Sequence, residues 1–338
     1  MMKKLLLILL VLPLITLSQQ TINGSIMHNN LQRDYILYVP AIYNSNHSTP
    51  LVFNFHGYTS NANDQMWYGD FRSLADTANF IIVHPMGTLD NTGATHWNVG
   101  WGASTVDDVG FTAALIDSLS VNYNIDDNRI YSTGMSNGGF MSYHLACNLS
   151  DRIAAIASVT GSMSSFTYST CNPSHPTPII EIHGTADLVV DYSSIPNVLD
   201  YWTDYNDCNI QGSWMTMPDI NIMDGSTAEH WVWDMGLNGV TVEHYKIING
   251  AHTWPGTIFA SAGTNYDIDA STEIWKFFSR YDINGLISPA SSFIEMSETT
   301  KERLEIVDFL GRKTKPKTNT PFIEIYDDGT VDKRIVIE

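Results

Sequence analysis

The chain has 338 residues, more than one domain requires, and 43% of them are apolar, which is enough for a large core. It carries 36 acidic and 17 basic residues, which gives a formal charge of -19. A charge of this sign and size repels nucleic acid and anionic membrane surfaces, so neither is expected as a partner.

The first eighteen residues have the pattern of a secretory signal peptide. Lys3 and Lys4 precede an unbroken apolar run over residues 5–11, and small residues up to Ser18 suit cleavage before position 19. A membrane anchor is the alternative, but Pro13 interrupts the stretch, which is also shorter than the roughly 20 residues that cross a bilayer. We therefore expect a mature protein without a membrane span, secreted or held at the cell surface.

Segments rich in β-branched and aromatic residues recur along the chain and predict strands. They are Tyr35–Val39, Leu51–Phe55, Phe80–Val83, Arg129–Ser132, Ile153–Val159, Pro178–Ile182 and Val240–Ile248. Helix-like stretches lie between them, at about 108–120 and 137–149, each with apolar residues aligned on one face. This alternation predicts an α/β fold with a mostly parallel sheet covered by helices on both sides.

Two regions depart from this alternation. Residues 206–238 have no clear period and are expected to be irregular, either a substrate-facing insertion or a long connection. Glycine, serine and proline residues then indicate a linker over 284–293. The predicted domains are a catalytic domain at 19–283 and a small β-rich domain at 294–338.

Gly134-Met135-Ser136-Asn137-Gly138 matches the Gly-x-Ser-x-Gly pattern of a nucleophile elbow. The motif follows a predicted strand and opens a predicted helix, which is the setting that an elbow requires. Glycines on both sides of Ser136 allow the strand and the helix to approach closely through a strained turn. The motif predicts that Ser136 is a catalytic nucleophile.

A serine hydroxyl needs a neighbouring base, and the base needs a group that fixes its tautomer. In enzymes built on this elbow, the acid and then the histidine follow the serine along the chain. Asp187 lies just past a predicted strand, and His252 lies in a glycine-flanked loop after another. Asp191 is the alternative acid, and His183 is expected to be structural.

Acyl transfer also needs two backbone N–H donors for the oxyanion. The amide of Asn137, directly after the nucleophile, is one candidate. The second is assigned to Tyr58, with Gly57 as the fallback, because His56-Gly57 ends an early strand. Trp254, two residues after the histidine, is expected to line the substrate pocket, with Trp101 and Trp67 as weaker candidates of the same kind.

No metal or cofactor is expected. The chain lacks an HExxH motif and a Cys/His cluster. Asp219, Asn221 and Asp224 resemble a calcium loop only superficially, since their spacing is off by one residue, and a plain turn is favoured.

These motifs together resemble the α/β-hydrolases that include feruloyl esterases, acetylxylan esterases and polyhydroxybutyrate depolymerases. The resemblance spans about residues 26–281 and rests on five blocks in order: His56-Gly57, Val106–Phe111, Gly134–Gly139, His183–Asp187 and His252–Gly256. It implies the Ser136, Asp187 and His252 triad, activity on carboxylic esters and no cofactor.

The three cysteines permit one internal disulfide at most. Cys147 and Cys171 are the better pair by proximity in sequence, and the resemblance also supports their pairing. Cys208 is then left without a partner, and a buried free thiol is its expected state.

The tail is similar to the C-terminal sorting domain of type IX secretion. Its strand-like pieces are Leu304–Phe309, Pro321–Tyr326 and Lys333–Ile337. The similarity implies the type IX secretion machinery as a partner, and a small carbohydrate-binding module is the alternative interpretation.

The sequence therefore predicts a secreted serine esterase that releases feruloyl or acetyl groups from plant or algal polysaccharides. A polyhydroxybutyrate depolymerase, which acts on a polyester, and a serine peptidase would use the same catalytic residues. A surface-binding protein on the same scaffold is disfavoured because none of the three catalytic residues is missing.

Overall fold

A computed structural model describes residues 19–259, 261–287, 303–307, 312–316, 322–326 and 331–334. The chain divides into two compact units, Met1–Ile287 and Ser288–Glu338. The predicted signal peptide lies outside the described residues, as does most of the predicted linker.

The described residues of the first unit form fourteen strands. They are β1 Gln20–His28, β2 Leu31–Val39, β3 Thr49–Phe55, β4 Ile81–Pro85, β5 Thr88–Leu89, β6 Thr95–His96, β7 Ile125–Met135, β8 Ala155–Val159, β9 Ile179–Gly184, β10 Ser213–Thr216, β11 Thr227–Trp233, β12 Val242–Ile248, β13 Tyr281–Asp282 and β14 Gly285–Leu286. Each predicted strand is present, with bounds that differ by a few residues.

Seven α-helices connect these strands within the described residues. They are α1 Ala62–Tyr68, α2 Arg72–Ala78, α3 Asp108–Asn122, α4 Asn137–Asn148, α5 Ser165–Thr170, α6 Ile195–Tyr205 and α7 Ala270–Phe278. Asp107 caps α3 by accepting a hydrogen bond from the Gly110 amide at 2.8 Å. No helix in the described part of the chain is long and apolar enough to cross a membrane.

Ten of the strands form one sheet in the order β1-β2-β4-β3-β7-β8-β9-β12-β11-β10. The six central strands, from β4 to β12, pair in parallel, while the outer pairs are antiparallel. The carboxyl ends of parallel strands meet at one edge of the sheet, where the loops after β3, β7, β9 and β12 come together. This confirms the predicted mostly parallel sheet.

Both faces of the central strands are buried, which explains why these strands are almost continuously apolar. In β3, Leu51, Phe53 and Phe55 face a core that α3, α4 and α6 complete. Val52, between them, faces the opposite core, to which α2 and α7 contribute. The sheet is therefore covered by helices on both sides, as the alternation of elements predicts.

The prediction for residues 206–238 is wrong in part. This segment contains the whole of β10 and β11, which extend the sheet: β11 pairs antiparallel with β12, and β10 pairs antiparallel with β11. Trp231 and Trp233 lie two residues apart on one face of β11, and Trp214 stacks on Trp231 with ring centroids 5.4 Å apart. These strands form through pairing at the sheet edge, β11 with β12 and β10 with β11, rather than through a local hydrophobic period.

The second unit contains a three-stranded antiparallel sheet of β15 Arg303–Val307, β16 Phe322–Tyr326 and β17 Val331–Arg334, in that order. These strands coincide with the three strand-like pieces read from the sequence, with the last beginning two residues earlier. The tail is thus β-rich where it is described.

The structure forms the disulfide between Cys147, in α4, and Cys171, at the end of α5, which ties two helices together across 24 residues. Cys208 is free and buried. Burial raises the pKa of its thiol to about 11, so the thiolate is scarce at neutral pH.

Replacing both Cys147 and Cys171 with serine should lower the free energy of unfolding by about 3 kcal/mol, because the unfolded chain regains the freedom of the closed loop. Urea denaturation of the full chain measures this loss. Reductant should destabilise the wild type by a similar amount and leave the double variant unchanged. Equal stability of the two proteins under oxidising conditions would contradict the structural role of the bond.

Four histidines are buried and neutral. Desolvation by burial lowers the pKa of His56 and His144 to about 4, and that of His84 and His244 to about 3. In the unfolded chain a histidine titrates near 6.5. Between these values the unfolded chain binds more protons than the folded protein, so stability falls as the pH drops below about 6.5.

We expect each of these histidines to contribute a loss of about 1.4 kcal/mol per pH unit between pH 6.5 and pH 4.5. Unfolding free energies measured from pH 7 to pH 5 test this. His144→Gln should reduce the slope, whereas His47→Gln, at an exposed position, should not. A stability that stays flat from pH 7 to pH 5 would contradict the expectation.

Candidate active site

Ser136 occupies a strained turn between β7 and α4. Its backbone has φ 53° and ψ −119°, a conformation that non-glycine residues adopt only under constraint. Two hydrogen bonds hold it there: the Ser136 amide donates to the Val159 carbonyl at 2.8 Å, and the Phe140 amide donates to the Ser136 carbonyl at 3.0 Å. Ser136 is therefore the single residue of the turn between the end of β7 and the start of α4, as the elbow motif predicts.

The glycines of the motif are required by close packing. A Cβ on Gly134 would lie 2.6 Å from the Gly138 carbonyl carbon and from the Phe55 carbonyl oxygen. A Cβ on Gly138 would collide with the backbone of Phe55. Because α4 presses directly on the end of β3, side chains at these positions would push the elbow away from the loop after β3.

Asp187 and His252 meet at the carboxyl edge of the sheet, in the loops after β9 and β12. The Nδ1–H of His252 donates to Oδ2 of Asp187 at 2.7 Å. The other oxygen of the carboxylate, Oδ1, accepts from the amides of Val189 at 2.8 Å and Val190 at 2.9 Å. With Nδ1 engaged in this way, Nε2 is the nitrogen left to act as the base.

Burial by itself would raise the pKa of the Asp187 carboxyl, but hydrogen bonds from His183, from His252 and from two amides outweigh it and lower the pKa well below its usual range. Asp187 is therefore ionised throughout the neutral range. Asp191, the alternative acid, caps the following turn instead, where it accepts from the Ser193 amide at 2.8 Å.

Ser136 and His252 line the same cleft, which has a volume of about 490 Å³. A Cβ on Gly57 would lie 3.5 Å from Cβ of Ser136, so the loop after β3 lies against the nucleophile. The structure thus brings four segments that are distant in sequence to one place.

The predicted oxyanion donors lie on either side of this hydroxyl. Asn137 is the first residue of α4, so its amide has no partner within the helix and sits at the positive end of the helix dipole. Gly57 and Tyr58 both line the cleft. The Tyr58 hydroxyl donates to Asp90 at 2.7 Å, which anchors the loop that carries this second amide.

Trp97 connects the two predicted oxyanion segments. The Asn137 side chain accepts from the Trp97 amide at 2.6 Å and donates to the Trp97 carbonyl at 3.1 Å. The Trp97 indole then donates to the His56 carbonyl at 2.9 Å. Asp108, paired with Arg33 at 2.6 Å, accepts from the Asn98 amide and holds this segment from the other side. Asp108 lies in the block Val106–Phe111 of the sequence resemblance, and through these contacts that block holds the segment of Trp97 and Asn98.

The prediction that Trp254 lines the substrate pocket is contradicted by its burial. The side chain is only 1% exposed; it packs against Phe71 with ring centroids 6.1 Å apart and donates from its indole to Ser271 at 3.2 Å. Trp254, two residues after His252, thus enters the core, whereas His252 lines the cleft. Trp254 supports the histidine loop from beneath.

Trp101 also lies outside the cleft. It is 45% exposed and packs edge-on against Phe140, with ring centroids 5.1 Å apart. The aromatic wall is instead built by Trp67 and Tyr68 of α1 and by Phe259, together with Tyr58. Trp67 was only a weaker candidate, and nothing in the local sequence marks Tyr68 or Phe259, because they reach the cleft through the packing of α1 against the loop after His252.

Among the described residues, no group of three or more histidine, cysteine, aspartate or glutamate side chains could hold a metal ion. Asp224 instead accepts from the amides of Ser226 at 2.8 Å and Tyr266 at 2.9 Å, which ties its turn to another loop.

Comparison with known proteins agrees with this fold. A family model described as phospholipase/carboxylesterase matches residues 105–221. A bifunctional acetylxylan esterase/xylanase of Neocallimastix patriciarum is 27% identical over 273 residues, which cover 81% of this chain and 37% of that protein. Feruloyl esterase D of Neurospora crassa is 26% identical over 279 residues, covering 78% of this chain and 86% of that protein.

The chain spans only 37% of the length of the Neocallimastix protein and between 30% and 66% of the length of four further feruloyl esterases that it matches. Among solved structures, acetyl xylan esterase from Aspergillus awamori superposes with a TM-score of 0.54 at 13% identity, over 76% of this chain and 98% of that one, which is a likeness of fold. With its serine elbow and its mostly parallel sheet, the chain has an α/β-hydrolase fold, and its sequence is similar to those of acetylxylan and feruloyl esterases.

Proposed function

We propose that this protein is a serine carboxylic-ester hydrolase of the feruloyl or acetyl esterase type. The observation that carries the proposal is the meeting of Ser136, His252 and the ionised Asp187 at one end of the sheet, with Ser136 and His252 in a single cleft. The names of the relatives support an ester substrate on a plant polysaccharide such as xylan.

The geometry supports acyl transfer in two steps. The Ser136 hydroxyl attacks the ester carbonyl while Nε2 of His252 takes its proton, and Asp187 stabilises the imidazolium that forms. The amides of Asn137 and Tyr58 hold the tetrahedral oxyanion. His252 then returns the proton to the leaving alcohol, and water hydrolyses the acyl-enzyme by the same route in reverse.

The cleft favours an aromatic acyl group over acetyl. Its volume of about 490 Å³ is several times what an acetyl group fills, and Trp67, Tyr68 and Phe259 line it. Tyr68 and Phe259 stack with ring centroids 6.3 Å apart and leave an apolar wall beside the nucleophile. We therefore place feruloyl esters ahead of acetyl esters, and polyhydroxybutyrate and peptides behind both.

We further propose that the protein is exported by residues 1–18 and sorted by the C-terminal domain through the type IX secretion machinery. The composition of the first eighteen residues supports the first step. The three short strands β15, β16 and β17 fit a small β domain that takes no part in catalysis. Export of the full chain in a bacterium with that machinery, compared with a chain truncated after Ile287, tests the second.

Ser136→Ala in the full chain should reduce turnover of methyl ferulate by at least about a thousandfold, since no nucleophile remains. Hydrolysis of methyl ferulate, acetylated xylan and polyhydroxybutyrate by the wild type, run beside the variant, identifies the substrate class. Wild-type turnover by the alanine variant would overturn the nucleophile assignment. A peptide cleaved faster than any ester would favour the peptidase alternative.

Asp187→Asn should reduce kcat by about three to four orders of magnitude, because an amide no longer fixes the tautomer of His252. Asp191→Asn is the matched control: it removes a carboxylate four residues away that only caps a turn, and its kcat should stay within about twofold of wild type. Steady-state kinetics on methyl ferulate measures both. A larger loss in the Asp191 variant would move the acid to that position.

A further inference from the structure

A second histidine, besides His252, contacts the Asp187 carboxylate. Nε2 of His183 lies 3.4 Å from Oδ2 of Asp187, the same oxygen that accepts from His252. The side chains of His183 and Asp187 are both fully buried. Asp187 therefore lies between two imidazoles, one facing the cleft and one facing the core.

Two further contacts bear on the protonation of His183, one with a carbonyl and one with Glu181, whose own pKa burial raises. Its Nε2–H donates to the Val190 carbonyl at 2.9 Å, and a carbonyl can only accept. Its Nδ1 lies 2.9 Å from Oε1 of Glu181, whose other oxygen accepts from the Tyr143 hydroxyl at 2.8 Å. Burial by itself would lower the pKa of His183, but the bonds to Asp187 and Glu181 raise it to about 9.

Local sequence brings these groups together. Glu181 and His183 are two residues apart in β9, so their side chains lie on the same face of the sheet, and the chain then turns to return Asp187 toward the same ring. Glu181 alone, as a second buried carboxylate, would disfavour the negative charge of Asp187. An imidazolium between the two carboxylates stabilises the charge of both.

We propose that His183 is a charged positioning residue of the active site: its imidazolium, held by Glu181, orients the Asp187 carboxylate toward His252. The proposal rests on the proposed esterase function and deepens it, since it adds a second pair of residues behind the triad. His183 touches no substrate, and it acts on the reaction only through Asp187.

The neighbouring elements supply no other cation for this role among the described residues. Lys246, beside His183 in the sheet, pairs with Glu229 at 3.4 Å. His244 is neutral at working pH, since burial lowers its pKa to about 3. The titratable and charged groups that surround His183 are Glu181, Asp187, Asp191, Tyr192, Tyr143, His244 and Lys246.

His183→Asn and Glu181→Gln, made in the full chain, test the proposal by kinetics on methyl ferulate. We expect kcat of His183→Asn to fall by about ten- to a hundredfold with little change in KM, as for the loss of one charge-assisted hydrogen bond. Without the nearby positive charge, the base holds its proton more readily, so the acidic limb of the kcat/KM profile should move up by about one pH unit. Glu181→Gln should move it in the same direction by less.

The matched control is His230→Asn. His230 pairs with Glu243 at 2.9 Å on an outer strand of the same sheet and does not contact Asp187, so its loss should leave the pH profile in place. A purely structural role for His183 would lower the amount of active enzyme without moving the acidic limb. An unmoved limb in both His183→Asn and Glu181→Gln would overturn the proposal.

Nuclear magnetic resonance of ring-labelled histidine measures the protonation of His183 directly, without an activity assay. At pH 8 the full chain should contain one imidazole with both nitrogens protonated, present in Ser136→Ala and altered in Glu181→Gln. A neutral His183 in the wild type would overturn the proposal even if His183→Asn did not fold. An inactive wild type that still shows this imidazolium would instead place the failure in the proposed esterase function.

Discussion

The active site depends on how closely α4 approaches the end of β3. The chain leaves β7, turns through the positive φ of Ser136 and enters α4 within contact of the Phe55 backbone, and only glycine fits at positions 134 and 138. This one turn aims the serine hydroxyl out of the sheet and places the Asn137 amide beside it. It also brings the loop after β3, with Gly57 and Tyr58, against the nucleophile. If the helix stood further away, both oxyanion donors would lose their alignment together.

The remaining catalytic groups arrive by the geometry of the sheet. Because β3, β7, β9 and β12 run in parallel, the loops that follow them lie at one edge, and residues as far apart as 58 and 252 reach one cleft. The loops are then held by hydrogen bonds rather than by their own stiffness. Trp97 links the two oxyanion segments, two amides and two histidines hold Asp187, and the buried Trp254 supports His252 from below. The loops at this edge of the sheet are thus fixed by contacts with buried side chains.

The residues proposed for catalysis and the residues proposed to select the substrate lie on different segments of the chain. The triad and the oxyanion donors come from the ends of the central strands, whereas the aromatic wall of Trp67, Tyr68 and Phe259 comes from α1 and from the loop after His252. Segments of this kind tolerate substitution better than core strands do. A change in that wall can alter which acyl group fits without disturbing the catalytic residues, which suits a fold whose relatives include both acetylxylan and feruloyl esterases.

The sequence by itself identified the residues of the proposed catalytic site, and the structure places His252 against Asp187 and in one cleft with Ser136. Three local patterns carried this information: the glycine spacing around Ser136, a carboxylate just past a strand, and a histidine in a glycine-flanked loop. Each pattern reflects the local backbone conformation of its own segment. The strong β-branched runs likewise identified the central strands, because burial on both faces leaves little choice of residue.

Other features were decided only by the tertiary structure. Strand β11 forms through pairing with β12, and β10 through pairing with β11. The inward turn of Trp254 follows from the packing of its loop, and the aromatic wall follows from the contact of α1 with a segment nearly 200 residues later. The position of His183 behind Asp187 is of the same kind. These outcomes depend on contacts between segments far apart in the chain, and such contacts leave no periodic signal in the sequence of either segment.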